Sequence, residues 1–366
     1  MRVIISTVGT SLLSNLKDCD RKLLAKTANY REGEYAPEEK RIVNNYIDEA
    51  RCSLLGYSLE NAKKLSAELN GLSRVGLAHQ DIYYFIVTDT YQCRQTAGLI
   101  KEYLTGINIH NAEIVEIRYL TSSNSKVFFK GISELVRWFY SDDMRYINDP
   151  GIDLIFNSSG GFKIVQGFVT AIAMLSNAQI SYIFEGEDSD LVSIPKLPIK
   201  LETSAMKKYP NQFMIMADAE IIADLPAGID DIFLDTEKEG SILSPWGLIM
   251  WEKNKSDVFF DRLLEWPGLV YENNFKNDFK SIVSADEKVK LQEVLYKVQK
   301  LMKKGDTSQL KKDGGLQYEN FENKKYNGLP IGHFRVTQER RVSCVASTGK
   351  LYLRKYGAHD YVNDNP

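Results

Sequence analysis

The strongest constraint in this chain is a rhythm in its first half, where short apolar runs alternate with helical segments. RVIISTVG (2–9), DIYYFIVTDT (81–90), EIVEIRYL (113–120), IDLIFNSSGG (152–161) and ISYIFEG (180–186) are rich in Val, Ile, Phe and Tyr, which suit a pleated, buried surface. Helix-like segments at roughly 54–69, 91–104, 128–140 and 162–176 separate them. Strands that alternate with helices are joined by crossovers. The expected fold is therefore α/β, a doubly wound, Rossmann-like domain with a mainly parallel sheet. In such sheets ligands bind beyond the carboxyl ends of the strands, so the loops after these runs are where chemistry is expected.

The rhythm stops near residues 190–200, at Pro195 and Pro198. Residues 201–255 mix a helical stretch, MIMADAEIIADL (214–225), with Gly and Pro turns and close in SPWGLIMWE (244–252), the character of a connector. Beyond 256, residues 286–304 place Leu291, Val294, Leu295, Val298, Leu301 and Met302 at helical spacing, an amphipathic helix with one packed face. A Gly- and Lys-rich loop is expected over 305–332. Strand candidates follow at HFRVTQ (333–338), RVSCVA (341–346) and KLYLRK (350–355), with Ser347-Thr348-Gly349 as a turn. The expected organisation is a domain over 1–195, a connector or accessory subdomain over 196–255, and an α+β domain with an antiparallel sheet over 256–366.

Charge follows the same division. Residues 286–366 hold 16 Lys and Arg against 10 Asp and Glu, a net of +6, whereas the other 285 residues carry −9. An acidic front and a basic back point to a polyanion met only by the back; a solvated basic face is the plainer alternative. No run approaches the length of a membrane span, and a strand-like run from Arg2 leaves no room for a signal peptide, so a cytoplasmic protein without membrane association is expected. Cys19, Cys52, Cys93 and Cys344 lie far apart with no zinc-like spacing. Free thiols, no metal and no cofactor are the expectation.

Two strand ends carry a ligand signal. The first reads Thr7-Val8-Gly9-Thr10-Ser11, where backbone amides and hydroxyls can meet an anion, although such residues are also common turn chemistry. The fourth reads Asn157-Ser158-Ser159-Gly160-Gly161-Phe162-Lys163 and runs into a helix. Its glycines permit close backbone approach, and the helix start adds oriented amides. Lys163 opposes the helix dipole there, a conflict that an anionic ligand would resolve. Neither a Walker A loop nor GxGxxG is present. Thr88-Asp89-Thr90, with Gln92, Arg94 and Gln95 beyond, can bond a base or ribose or simply cap the next helix. Glu185 can bond an exocyclic amine or be an ordinary surface carboxylate.

An opening strand followed by VGTS, a mid-domain TDT and a late NSSGGFK turn over residues 1–190 resembles the CARF domains of CRISPR-associated proteins. The resemblance implies a homodimer that binds a cyclic oligoadenylate, cyclic tetra-adenylate by the family's habit, at a shared two-fold pocket. It places Gly9, Thr10, Ser11, Thr88, Asp89, Thr90, Ser158, Ser159, Gly160, Gly161, Phe162 and Lys163 at that ligand. In some relatives a hydroxyl of the first loop and a Lys of the Gly-rich turn cut the ring. Ser11 and Lys163 match those positions, where they would also serve binding alone.

The last residues concentrate His333, Arg335, Arg340, Arg341, Lys350, Arg354, Lys355 and His359. Alternation puts Arg335 and Thr337 on one face of a strand and Phe334 and Val336 on the other. Such cations blunt sheet edges. They also suit cleavage of a phosphodiester by its own 2′-hydroxyl, which needs charge stabilisation and proton transfer and no metal. Residues 256–366, through GHFRV, RRVSCV and LYLRKYGAHDYVN, resemble the RelE/HigB superfamily of toxin RNases. The resemblance puts Arg335 and Arg341 at the scissile phosphate, with Arg354 or Lys355 as a further cation. His359 would be the general acid and Tyr361 a proton-transfer or stacking group; His333, Lys303 and Lys304 would bind RNA. The family often has HR before its final Tyr, whereas this chain has His359-Asp360-Tyr361. Most relatives cut mRNA on the ribosome, and some cut free RNA. Together the halves resemble a CARF–RelE fusion, an mRNA endoribonuclease switched on by a cyclic oligoadenylate. The rivals are a ring nuclease with a dimerisation tail, a DNA-binding regulator, which would need a helix-turn-helix, and a plain α/β enzyme.

Overall fold

The computed structural model describes residues 1–366 apart from 121–123, 162, 177, 184–189, 196–198, 200, 260 and 303–306. Four residues expected at sites, Phe162, Glu185, Lys303 and Lys304, lie outside the described residues. The chain divides into two compact units. The first comprises Met1–Leu201, Asp230–Glu237 and Ile242–Met250; the second comprises Glu202–Ile229, Lys238–Ser241 and Trp251–Pro366. The segment 196–255 is thus shared out between both.

The first unit is built on β1 (Arg2–Thr7), β2 (Ile82–Thr88), β3 (Ala112–Ile117), β4 (Asp153–Asn157), β5 (Gln179–Ile183) and β6 (Leu191–Ile194), in the order β3-β2-β1-β4-β5-β6. All neighbours are parallel except β5 and β6. Val3, Ile4 and Ile5 are all buried, as a strand covered on both faces requires. Helices Tyr91–Gly106, Ser125–Phe139 and Lys163–Leu175 follow β2, β3 and β4, where the sequence placed them. The order reverses between β1 and β4, and a crevice at their carboxyl ends is the expected ligand position.

The connection from β1 to β2 departs from the sequence reading. A helix was expected over 54–69; instead five α-helices fill the interval, Ser11–Ser14, Arg21–Lys26, Pro37–Leu55, Leu59–Leu65 and Ala67–Val75, with a 3-10 turn at Glu32–Glu34. The longest buries only Val43, Ile47, Ala50 and Leu54. Those positions form a single narrow stripe, and a thin stripe among charges is a weak signal.

In the second unit, helix Pro210–Ala217 covers only the start of the expected 214–225 helix. Ala219 turns left-handed at φ 59°, and Ile222 bridges to Ser241. Short strands β7 (Leu234–Glu237) and β8 (Gly240–Leu243) pair with each other, and β7 and the last two residues of β8 belong to the first unit. The main sheet holds β9 (Leu269–Tyr271), β10 (Glu319–Tyr326), β11 (Leu329–Arg335), β12 (Arg340–Ser347) and β13 (Lys350–Ala358), in the order β10-β11-β12-β13-β9. Its neighbours are antiparallel except β9, which is parallel to β13.

The expected strands at 333–338, 341–346 and 350–355 correspond to β11, β12 and β13. The stretch read as loop, 305–332, contains β10 and a two-residue turn, Asn327-Gly328, at φ 50° and 80°. Thr348-Gly349, at φ 49° and 72°, makes the equivalent turn between β12 and β13. Two consecutive left-handed residues match the right-handed twist of the strands they join. Helix Ala285–Met302 buries Leu291, Val294, Leu295, Val298 and Met302. Phe334, Val342, Cys344, Leu351, Leu353 and Tyr356 are the buried side chains of the sheet's core face. Among the described residues no helix is long and apolar enough to cross a membrane.

Candidate functional site

Each unit assembles one cluster of polar groups. In the first, the loops after β1 and β4 lie against each other. Thr7 Oγ1 donates to the Gly160 carbonyl at 2.5 Å. Gly161 adopts φ +93°, and a Cβ there would lie 2.7 Å from Thr7 Cβ. Gln166 Nε2 donates to the carbonyls of Ser158 (2.9 Å) and Gly160 (3.1 Å). Ser158 and Ser159 each carry a buried Oγ without a hydrogen-bond partner, while Lys163 is exposed at the start of its helix.

A residue that sequence reasoning missed sits between these loops. Glu68, fully buried, accepts from Gly9 N at 2.8 Å, from Ser11 Oγ at 3.0 Å and from Ser66 Oγ at 2.7 Å. A Cβ on Gly160 would meet Glu68 Oε1 at 2.1 Å. The glycines read as making room for a ligand therefore also make room for the chain itself. No local pattern marks Glu68, which lies 57 positions from Ser11.

The Thr88-Asp89-Thr90 segment finds its partners within the protein. The two threonine hydroxyls share a 2.8 Å hydrogen bond, and Asp89 pairs with Arg31 at 2.6 Å. Gln92 is buried and donates to the Leu24 carbonyl and Thr27 Oγ1, which makes it a core residue.

In the second unit, register brings the candidate residues onto one sheet face. His333 lies opposite Ser343, Arg335 opposite Arg341, and Ser343 opposite Lys355. The register shifts between Ser343↔Lys355 and Cys344↔Leu353, leaving Arg354 as the extra residue of a β-bulge. Bulges re-aim side chains, and this one turns adjacent cations outward while Leu353 and Tyr356 stay buried.

This face and the helix His359–Asp364 that follows it hold six buried side-chain atoms without hydrogen-bond partners: His333 Nδ1, Arg335 Nε, Ser343 Oγ, Arg354 Nε, Arg354 Nη1 and Asn363 Oδ1. Isolated orphans of this kind cost ~1–3 kcal/mol each, so their concentration marks a place built for something other than stability. Among the described residues none of Arg335, Arg341, Arg354 and Lys355 pairs with an Asp or Glu side chain. Arg340 differs, pairing with Glu287 at 2.8 Å, and serves the framework. The Arg354 guanidinium lies 3.5 Å over the Tyr326 ring and donates from Nη2 to Pro366 O at 3.3 Å.

The histidines occupy different environments. His333 is 5% exposed and packs on Phe321, ring centroids 4.4 Å apart. Burial lowers its pKa, the Arg341 and His359 charges lower it further, and Glu319 opposes them. Imidazole is therefore the favoured form of His333 in the folded chain. His359 is half-exposed, with Nδ1 3.0 Å from Asp360 Oδ1 and its ring beside Asn363 Nδ2. Tyr361 donates to Asp278 Oδ1 at 3.1 Å, and its ring covers Gly357, where a Cβ would approach to 2.6 Å. Alternation along the sequence already puts Ser343 on the face of Arg341 and Val345, whereas Asn363, Phe321 and Tyr326 were not singled out from sequence.

Because His333 has a lowered folded pKa, the unfolded chain takes up its proton first as pH falls. The second unit is expected to lose stability as pH drops from neutral through ~6.5, the ordinary histidine range. His333→Gln should flatten that dependence, as measured by denaturant unfolding across pH; an unchanged slope would remove His333 as its source.

A cavity of about 500 Å³ elsewhere in the second unit is lined by Met214, Trp251, Tyr296 and Lys300 among others. Lys300 there pairs with Asp218 and with Glu220, so it offers no free cation to a polyanion.

Residues 63–197 match the family model of a CRISPR-associated protein, Cas_APE2256. The match supports a CRISPR-associated protein. It spans less than half of the chain and takes in β2 to β6, including the NSSGG turn and Glu68. Among solved structures, a copper-bound mutant toxin from Helicobacter pylori is similar at 18% identity, covering 26% of this chain and 96% of that one with a TM-score of 0.19. At that TM-score the likeness carries no argument about fold or function.

Proposed function

We propose that this CRISPR-associated chain is a metal-independent endoribonuclease of the CARF–RelE type, switched on by a cyclic oligoadenylate. The observation that carries the reading is the face of β11, β12 and β13. There, and on the helix His359–Asp364 that follows β13, cations without Asp or Glu partners, six orphaned polar atoms and two histidines are collected. A phosphodiester would supply the acceptors this face lacks. Arg335 and Arg341 would hold the phosphate oxygens, with Arg354 and Lys355 stabilising the charge that develops as the 2′-oxygen attacks. His359, half-exposed beside Asp360, is the group assigned to protonate the leaving 5′-oxygen. His333, with its lowered pKa, is suited to accept the 2′-hydroxyl proton. Tyr361, whose hydroxyl is engaged by Asp278, is better suited to stacking than to proton transfer. So sparse a site draws much of its rate from substrate positioning, which the ribosome would supply by holding mRNA in line.

The first unit is assigned as the sensor. Its loops after β1 and β4 meet where the strand order reverses, and they are read as a phosphate seat for cyclic tetra-adenylate bound across a homodimer. Ligand shifts the switch only if it binds the active arrangement more tightly.

The test is cleavage of a translating message with purified ribosomes, with and without cyclic tetra-adenylate. Cleavage only when both are present is expected. Cleavage of free RNA would remove the ribosome from the mechanism, and ligand loss without RNA cleavage would leave a ring nuclease. In the same assay His359→Gln should lower the rate by ~10²–10⁴-fold, the usual worth of general acid catalysis. An unchanged rate would take His359 out of that role.

A further inference from the structure

The loop pair read as a phosphate seat already contains a negative charge. Glu68 lies in the first turn of helix Ala67–Val75 with no exposure to solvent. Its carboxylate takes the Gly9 N–H, the Ser11 hydroxyl and the Ser66 hydroxyl as donors. Among the described residues no Lys or Arg forms an ion pair with it. Buried carboxylates are rarely left without a cation. Hydrogen bonds alone hold this one, and two of its three donors belong to the loop expected to meet an anion. Ser11 Oγ also accepts from Ala67 N at 3.2 Å, so in this arrangement its proton points to Glu68 and is not available to a ligand.

The surroundings are shaped to this carboxylate. A side chain on Gly160 would have to displace Glu68, whose Oε1 stands 2.1 Å from where its Cβ would be. Gly71, one turn along the same helix, brings the backbone so close that a Cβ would lie 2.0 Å from Asn157 Oδ1. Asn157 Nδ2 in turn donates to the Glu68 carbonyl at 3.1 Å. The helix is thereby fixed against the carboxyl end of β4 with its acid aimed between the two loops.

We propose that Glu68 is a resident counter-anion of the ligand site. Without ligand it occupies the Gly9 and Ser11 donors. A phosphate group binds by taking those donors over, leaving Glu68 with Ser66, so Glu68 sets the affinity threshold for the activator. The proposal rests on the reading of this loop pair as a phosphate site. A purely structural buttress would behave in the opposite way, since weakening it would disorder the loops and lower affinity.

Glu68→Gln keeps the shape and removes the charge. Titration of the full-length chain by calorimetry is expected to show cyclic tetra-adenylate bound at least ~10-fold more tightly by the variant, because a like charge next to the phosphate is gone. A folded variant that binds equally or more weakly would overturn the proposal while leaving the sensor reading intact. If neither protein binds cyclic tetra-adenylate, the sensor reading fails, and inorganic phosphate decides the proposal. A phosphate-dependent rise in thermal midpoint confined to Glu68→Gln would uphold a masked anion seat; no rise in either protein would overturn it. Should Glu68→Gln fail to fold, Glu68→Asp withdraws the charge by one methylene. It is expected to bind the probe more tightly than wild type, and binding no tighter would overturn the proposal.

Discussion

Replacing Arg335 and Arg341 together by alanine is expected to lower mRNA cleavage by ~10²–10³-fold, the loss typical of removing a preorganised group that stabilises transition-state charge. The thermal midpoint should hold level or rise. Arg335 buries an Nε without a partner, and the two arginines stand directly opposite each other across β11 and β12. Like charges in that relation destabilise a sheet, so their removal relieves the fold even as it disables the site. Such opposition between activity and stability is usual where a site is built from strained or unsatisfied groups. Single-turnover cleavage on a translating message, paired with calorimetric melting, measures both. Unchanged cleavage would dismiss this face as the active site. A sharp fall in melting point would show the arginines to be framework residues like Arg340.

Gly161→Ala is expected to destabilise the first unit by ~2–5 kcal/mol. Left-handed backbone costs an L-residue ~1–2 kcal/mol, and the residue sits at φ +93°. The new methyl would also be driven to 2.7 Å from Thr7 Cβ and 3.1 Å from the Thr7 carbonyl carbon. Overpacking of that kind costs ~1–3 kcal/mol more. Gly167→Ala is the matched control. It lies inside helix Lys163–Leu175 with nothing within 4 Å of its added Cβ, and should stabilise by ~0.5–1 kcal/mol. Urea unfolding of the two variants should therefore diverge in sign. A shift in the same direction for both would refute the close approach of the β1 and β4 loops. Loss of ligand binding by Gly161→Ala under conditions where it remains folded would tie that approach to sensing.

Much of the architecture was legible because hydrophobic period is a local property. Continuous Val- and Ile-rich runs announced parallel strands, and helices 91–104, 128–140 and 162–176 appeared within a few residues of their expected places. Where the signal was thin, the reading failed. The helices between β1 and β2 rest on narrow stripes such as Val43, Ile47, Ala50 and Leu54. The expected helix at 214–225 ends early because Ala219 adopts a left-handed conformation, which composition did not foretell. The β10–β11 hairpin was passed over although Asn327-Gly328 is a strong turn signal. The Lys-rich flanks read as loop, and only pairing with β11 makes them strand.

Sequence by itself determined the candidate chemistry: hydroxyls and glycines at two strand ends, and arginines, lysines and histidines on consecutive strands. These follow from residue type and from the two-residue and 3.6-residue periods, which need no knowledge of what packs on what. Tertiary structure decided which of those groups are free to act. It engaged Arg340 with Glu287 and Tyr361 with Asp278, and it left polar atoms of Arg335, Ser343 and Arg354 without partners. It also set Glu68 between the two loops from 57 positions away. Hydrogen-bond satisfaction depends on contacts between residues remote along the chain, and no local pattern encodes them.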